Sequence, residues 1–481
     1  MSARLAGVAA LVALVLSACS SGGSGSTSAP LPPPAARVHH RGSPSTPIQH
    51  VIIVIQENRS FDNLFATFPN ANGTTTGNME AVPASLVSQC DYPYATSIPL
   101  AEKPLYSGND YEHRYVSGSA NRPGGFLVDL DNGLMDGFDL SYIPASSKID
   151  CTGPYEYVDP SQIQPYWNMA SQYVLADNLF QTQGSSSFTA HQDLIAGGTV
   201  VNYAVGSGSN ENSAIDNPSW WPWGCDNHSS SFVPVITTQL QYFGNEGPFP
   251  CFTYKTMRDL LDGAGVSWKF YAEQIVKAKE GAGIWSAYDA ISSVRNSSEW
   301  GTKVVWPDTK IFADIKKGTL PAVSWVTPDA PNSDHPQEQC KCDTGPSWVA
   351  SVVNAVGNSK KYWKSSAVIV VWDDYGGWYD HVPPPFTDNQ GGLGFRVPMI
   401  VVSPFTQPHV EHTQYEFGSI LRFIEDNWDL GSLGTTDQRA TSIGNLFYFG
   451  GEPRAFKPIA AKYPTSYFLQ RKQSGLVPDP E

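Results

Sequence analysis

Val51-Ile52-Ile53-Val54-Ile55-Gln56-Glu57-Asn58-Arg59-Ser60-Phe61-Asp62-Asn63-Leu64-Phe65 sets the fold class of this chain. Val51 to Ile55 are all β-branched, and a short apolar run of this kind reads as a strand buried on both faces. The polarity then changes at once. Glu57 and Asn58 offer a carboxylate and an amide just past the strand. Ser60 is placed to cap a helical turn that has Asp62 in its first positions. In open α/β sheets ligands collect at the carboxyl ends of strands.

A second stretch repeats the design. Ala367-Val-Ile-Val-Val-Trp372 is apolar throughout and runs into Asp373-Asp374-Tyr-Gly376-Gly377. Two adjacent acids at the end of a hydrophobic strand repel each other unless a cation sits between them. Glu57, Asn58, Asp373 and Asp374 together supply oxygen donors of the kind that hold hard divalent cations. A third apolar run, Pro398 to Pro404, and helical patterns at Trp348–Val356 and Ser419–Trp428 fill out strand–helix alternation. The expected fold is α/β, with a mainly parallel central sheet flanked by helices and long loop insertions over the site.

The chain has 481 residues, a formal net charge of −15 and a pI near 5.1, which excludes nucleic acid as a partner. Few charged residues, 14 Trp, 22 Tyr and 22 Phe, 42 Gly and 38 Pro suit a loop-rich exported enzyme. Arg4 followed by the apolar Leu5–Leu16 reads as a signal segment too short to span a bilayer. Leu16-Ser17-Ala18-Cys19 resembles a bacterial lipobox. The expected organisation is a lipoprotein signal peptide at 1–19, a Ser/Gly/Pro tether at 20–48 and one catalytic domain at 49–481, with the cell-envelope anchor at Cys19 or secretion. Cys90, Cys151, Cys225, Cys251, Cys340 and Cys342 allow up to three disulfides, with the pairing open. Their spacings do not match a zinc site.

A cation beside a hydroxyl makes a nucleophile. Ser185, Ser186 and Ser187 lie in a glycine-led turn before a helix, and the residues alone do not choose among them. Glu57-Asn58-Arg59-Ser60-Phe61-Asp62 resembles the signature of the bacterial phosphoesterases that include phospholipases C and secreted acid phosphatases. Met135-Asp-Gly-Phe138, Ser186-Ser187-Phe188 with Ala190-His191-Gln192, Asp334-His335-Pro336, Asp373-Asp374 with Asp380-His381, and Ser403-Pro-Phe follow in the same order.

The resemblance implies an alkaline-phosphatase-like fold. It makes Glu57, Asn58, Asp373 and Asp374 the ligands of one divalent metal cation of unspecified identity. It puts Ser187 at the nucleophile position and His113, His335 and His381 around the phosphate. Where the family has Gly-Pro before the nucleophile, this chain has Ser185-Ser186. The implied function is metal-dependent hydrolysis of phosphate esters through a phosphoseryl intermediate, of the phospholipase C type, on a phospholipid or small phosphate-ester substrate. The alternatives are an acid phosphatase acting on monoesters and an inactive surface-binding lipoprotein. His191 is expected to be structural and to point away from the site.

Overall fold

The two apolar runs become neighbouring central strands. The computed structural model describes residues 41–79, 97–116, 124–143, 148–206, 210–275, 283–336, 342–385, 388 and 390–476. Its main sheet contains β1 (His50–Gln56), β2 (Val174–Ala176), β3 (Trp268–Tyr271), β4 (Val304–Val305), β5 (Val323–Val326), β6 (Ser366–Trp372), β7 (Met399–Val402) and β8 (His409–Glu411). The spatial order is β4-β3-β5-β1-β6-β7-β2-β8. Only β7 runs antiparallel to its neighbours in this sheet. The mainly parallel α/β sheet expected from the sequence is therefore present.

β1 sits between β5 and β6, with Ile53 opposite Trp325 on one side and Ile369 on the other. Every residue of β6 is buried, so both faces of the sheet are covered. The helices that accompany it are α1 (Phe61–Phe65), α2 (Gln164–Gln172), α3 (Ser187–Ala196), α4 (Met257–Gly263), α5 (Lys310–Lys317), α6 (Gly345–Gly357) and α7 (Phe417–Trp428). They form two sets: α3 packs on α4 and α7, while α6 packs on α2 and α5. Each Val or Ile so buried contributes about 1.5–3 kcal/mol over leaving it in water. Ser60 caps α1 as expected, its Oγ accepting the Asn63 N–H at 3.1 Å. Gly197 ends α3 in the left-handed region at φ 67°.

The insertion region builds a smaller aromatic core of its own. Phe138 meets Tyr375, Tyr379 and Phe395, and Tyr155 lies on Tyr379. The Met135–Phe138 block is thus a packing element. The apolar run Tyr173–Phe180 divides at Asp177-Asn178 into β2 and a short strand at Leu179–Phe180, and the Asp177 carboxylate accepts the Asn72 N–H at 2.8 Å.

Residues 1–40, and with them the signal segment, Cys19 and most of the tether, lie outside the described residues, as do Cys90 and Cys340. Residues 41–48, grouped by composition with the tether, are part of the folded body. Gly42 N–H donates to Trp428 O at 2.8 Å, Ser45 N–H to Asn427 O at 2.6 Å, and Ile48 is wholly buried. Cys225 bonds to Cys251, and Cys151 and Cys342 are disulfide-bonded as well.

Glu425 of α7 is buried and accepts the Leu433 N–H at 2.9 Å. Burial, with Asp437 adding repulsion, pushes its pKa up from 4.5 to about 8. A raised carboxyl favours the fold fully only below its unfolded value, and that stability is lost as pH rises through the folded value. Glu425→Gln should shrink the drop in melting temperature between about pH 5 and about pH 8. A scanning-calorimetry series in which the drop is unchanged would remove Glu425 from the pH response.

Candidate active site

Three adjacent strand ends converge, those of β5, β1 and β6. Backbone bonds stitch the loops that leave them. Glu57 N–H donates to Ser333 O at 2.8 Å, Asp373 N–H to Gln56 O at 2.9 Å, and Arg59 N–H to Asp374 O at 2.9 Å. Asn58 sits at φ 53°, a left-handed conformation that Asn tolerates well, and its N–H donates to Asp373 Oδ1 at 3.0 Å. Gly376, at φ 61°, lies so close that a Cβ there would come within 2.7 Å of the Asn58 carbonyl oxygen. The Gly-Gly turn after the acid pair lets the two loops touch.

Ser187 opens α3 and points its hydroxyl into this junction. Oγ meets Asp374 Oδ2 at 2.8 Å and Asn58 Oδ1 at 3.2 Å. The hydroxyls of Ser185 and Ser186 are buried and have no hydrogen-bond partner. Of the three serines, Ser187 alone hydrogen-bonds the acid cluster. The neighbouring Phe188 N–H is capped by Asn217 Oδ1 at 3.0 Å.

His191 does not point away. Its Nε2 lies 2.9 Å from Glu57 Oε1 and 3.7 Å from Asp373 Oδ2, and its ring lies parallel to Trp285. The spacing carried the signal: residues four apart share one face of a helix, so the position after Ser187 that follows it into the site is 191. Burial lowers its pKa to about 4, so the ring is neutral.

The other three histidines part company. His113 Nε2 lies 3.6 Å from Asp374 Oδ2, while its Nδ1 lies 2.7 Å from Tyr111 O. His335 has Nδ1 at 2.9 Å from Pro336 O, a buried Nε2 with no hydrogen-bond partner among the described residues, and its ring tilted against Trp285 with centroids 5.7 Å apart. In both rings the backbone carbonyl fixes the hydrogen on Nδ1. Nε2 is then a lone pair in the neutral ring and a donor only in the charged one. Burial drives the His335 pKa down to about 3.

His381 is not brought to the serine. Its Nδ1 lies 2.6 Å from Asp62 Oδ2 and its Nε2 3.3 Å from Asn72 Oδ1. The tight turn after Asp374 sends Asp380 and His381 back against α1. There Arg396 binds Asp380 at 2.8 Å, supplying the group's positive charge. Asp62, Asp380 and His381 have metal-ligand spacing, but a guanidinium already balances them.

No such balance exists at the first site. Asp373 and Asp374 are wholly buried, and among the described residues neither pairs with Lys or Arg. Burial, and then the Asp373 charge, push the Asp374 carboxyl well above the usual carboxylate range. Asn58 Nδ2 and Asp373 Oδ2 have no hydrogen-bond partner among the described residues. Glu57, His191 and Asp373 offer ligand atoms within 4.8 Å of one another. This donor set fits a divalent cation. Nearby Arg59 is turned elsewhere, donating to Asp334 O at 2.9 Å and Leu105 O at 2.8 Å and lying over Trp378. Trp223, Trp378 and Tyr379 are core residues, and Trp220 is exposed.

Residues 48–431 match the model of the Phosphoesterase family. Phospholipase C A of Mycobacterium tuberculosis (strain ATCC 25618 / H37Rv) is 26% identical over 458 residues, which cover 86% of this chain and 79% of that protein. Phospholipase C B of the same strain is 24% identical over 459 residues, covering 86% and 80%. Non-hemolytic phospholipase C of Burkholderia pseudomallei (strain K96243) is 23% identical, over 83% of this chain and 58% of that protein. The crystal structure of a protein in the alkaline phosphatase superfamily from Vibrio parahaemolyticus is similar at a TM-score of 0.32 and 11% identity, over 57% of this chain and 63% of that one. The fold class rests on the sheet order and not on that likeness. Among the described residues no helix is long and apolar enough to cross a membrane.

Proposed function

The chain belongs to the phosphoesterase family and is a hydrolase acting on phosphoric esters, and on that premise we propose that it is a metal-dependent phospholipase C working through a phosphoseryl intermediate. The observation that carries the proposal is the Ser187 hydroxyl, held by Asp374 and Asn58 at the first turn of a ten-residue helix. Glu57, Asn58, Asp373 and Asp374 would hold the divalent cation. When bound, it supplies the positive charge that lowers the pKa of a nearby hydroxyl and offsets phosphoryl charge.

The chain's own residues do the rest. The helix N-terminus carries partial positive charge toward an incoming phosphate. Ser187 Oγ attacks phosphorus in line as the bond to the leaving alcohol breaks. Asp374 Oδ2, 2.8 Å away, is the nearest acceptor for the serine proton. An anionic phosphoryl group raises the pKa of an imidazole beside it. His335 or His113, charged on that account, then gives its Nε2 proton to the leaving oxygen. In the second half the same Nε2, neutral again, takes a proton from the water that attacks the phosphoserine; the bond from phosphorus to Ser187 Oγ breaks, and Asp374 returns the serine proton to Oγ.

The names of the relatives support a diester substrate with a lipid diacylglycerol leaving group. Assaying p-nitrophenylphosphorylcholine beside p-nitrophenyl phosphate should give turnover on the diester that a chelator abolishes and added cation restores. Turnover of the monoester alone would replace this reading with an acid phosphatase. No turnover of either, with cation supplied, would leave a surface-binding protein. The proposal places the protein in the cell envelope, exported and anchored through a lipidated Cys19.

A further inference from the structure

We infer that His191 is a nitrogen ligand of the cation held by Glu57 and Asp373, and that it tilts this centre toward a borderline metal such as Zn²⁺ and away from Ca²⁺ and Mg²⁺. The inference rests on the metal-dependent reading above and extends it from an all-oxygen set to a mixed one.

Three observations carry it. His191 Nε2 faces two carboxylates from two different strand ends, Glu57 Oε1 at 2.9 Å and Asp373 Oδ2 at 3.7 Å. Ligand atoms around a first-row ion bound at about 2.0–2.2 Å stand about 2.8–3.6 Å from one another; the Glu57, His191 and Asp373 atoms all lie within 4.8 Å of one another, close enough for small side-chain shifts to bring them onto one ion. Second, His191 is 2% exposed, and its ring lies parallel to Trp285 with centroids 6.4 Å apart. It cannot swing to water, and its direction is set by packing. Third, Asp373 Oδ2 has no hydrogen-bond partner, although its carboxylate is wholly buried. A histidine placed only to fill the core has no need to face two acids.

The chemical consequence follows from donor type. Carboxylate and amide oxygens suit Ca²⁺, Mg²⁺ and Mn²⁺, whereas an imidazole nitrogen adds most to the binding of Zn²⁺ and its late first-row neighbours. Replacing the nitrogen should therefore change the preference among metals and not only the strength of binding. Ser187 and His191, on one helix face, then carry the nucleophile and one ligand on a single rigid element.

The test is direct metal binding by the whole protein, with turnover left out of the readout. Zn²⁺, Ca²⁺ and Mg²⁺ are titrated calorimetrically into metal-stripped wild type and His191→Gln. The expected result is a Zn²⁺ affinity lowered more than about 100-fold in the variant, beyond the loss an orienting residue gives, with Ca²⁺ and Mg²⁺ affinities within about threefold of wild type. Equal losses for all three ions, or none, would overturn the inference.

Pulsed electron paramagnetic resonance of wild type with one equivalent of Mn²⁺ should show coupling to an imidazole nitrogen. If His191→Gln does not fold, His113→Gln and His335→Gln take its place, and nitrogen coupling that survives both substitutions belongs to His191. Bound Mn²⁺ without nitrogen coupling, but lost in Asp374→Asn, would overturn the role of His191 and leave the metal site standing. Wild type that binds none of these ions overturns both.

Discussion

Ser187→Ala should lower turnover by about 10⁴-fold or more while the melting temperature and circular dichroism stay close to wild type. The size follows from the chemistry: with no Oγ there is no covalent intermediate, and what remains is positioning alone. The fold should tolerate the change. Ser187 is a helix-opening residue whose capping work is done elsewhere, with Phe188 N–H held by Asn217. Removing its hydroxyl leaves Asp374 Oδ2 one donor short, which the proposed cation would offset. Ser186→Ala is the matched control, since that hydroxyl touches no polar group and its loss should change turnover by less than about threefold. Should Ser186→Ala be the variant that kills activity, the serine assignment moves back by one residue.

Asp374→Asn should strip the bound cation and turnover together. Losing a residue that merely orients a ligand costs about 10–100-fold in metal affinity, so losing a direct ligand should cost more than about 100-fold. The apo protein should fold well. Asp374 Oδ1 accepts the Gly376 N–H at 2.7 Å, and an amide oxygen can take that bond. The substitution also removes one of two adjacent buried acids. Elemental analysis after dialysis should find metal in wild type and none in the variant. Added cation should raise the melting temperature of wild type and leave that of Asp374→Asn where it was. An unchanged metal stoichiometry would take Asp374 out of the ligand set.

The sheet and the meeting of its two acid-tipped strands were legible because both signals are local. Five β-branched residues in a row can hardly be other than a buried strand. Glu57-Asn58 and Asp373-Asp374 then fall together because β1 and β6 pair in register, His50 beside Ser366. The resemblance put Ser187 at the nucleophile position; that Ser187 is the one of the three serines bonded to the acid cluster is visible only in three dimensions, since Ser185, Ser186 and Ser187 are chemically identical until a helix start turns one of them inward. His191 was misjudged for lack of a periodicity argument that the sequence did contain.

His381 was misplaced for a different reason. Its capture by Asp62 and Arg396 joins residues 319 and 15 positions away, which no local pattern encodes. Residues 41–48 were grouped with the tether on composition. What fixes them lies far away in sequence: besides the backbone bonds to Trp428 and Asn427, the Asn427 side chain accepts from Thr46 Oγ1 at 2.6 Å and donates to Ile48 O at 3.0 Å.

The central position of β1 has a cost in time. It is among the first parts of the domain to be synthesised, yet both of its partners arrive late, β5 at Val323 and β6 at Ser366. Until then Val51–Ile55 is an apolar strand with two open edges, the arrangement most prone to pair with a copy of itself. Contacts this far apart in sequence also make for slow folding. Residues 50–56 therefore stay without their sheet partners until Val323 and Ser366 have been added. The strand that ends in Glu57 and Asn58 is, for the same interval, an apolar segment whose sheet partners are not yet made.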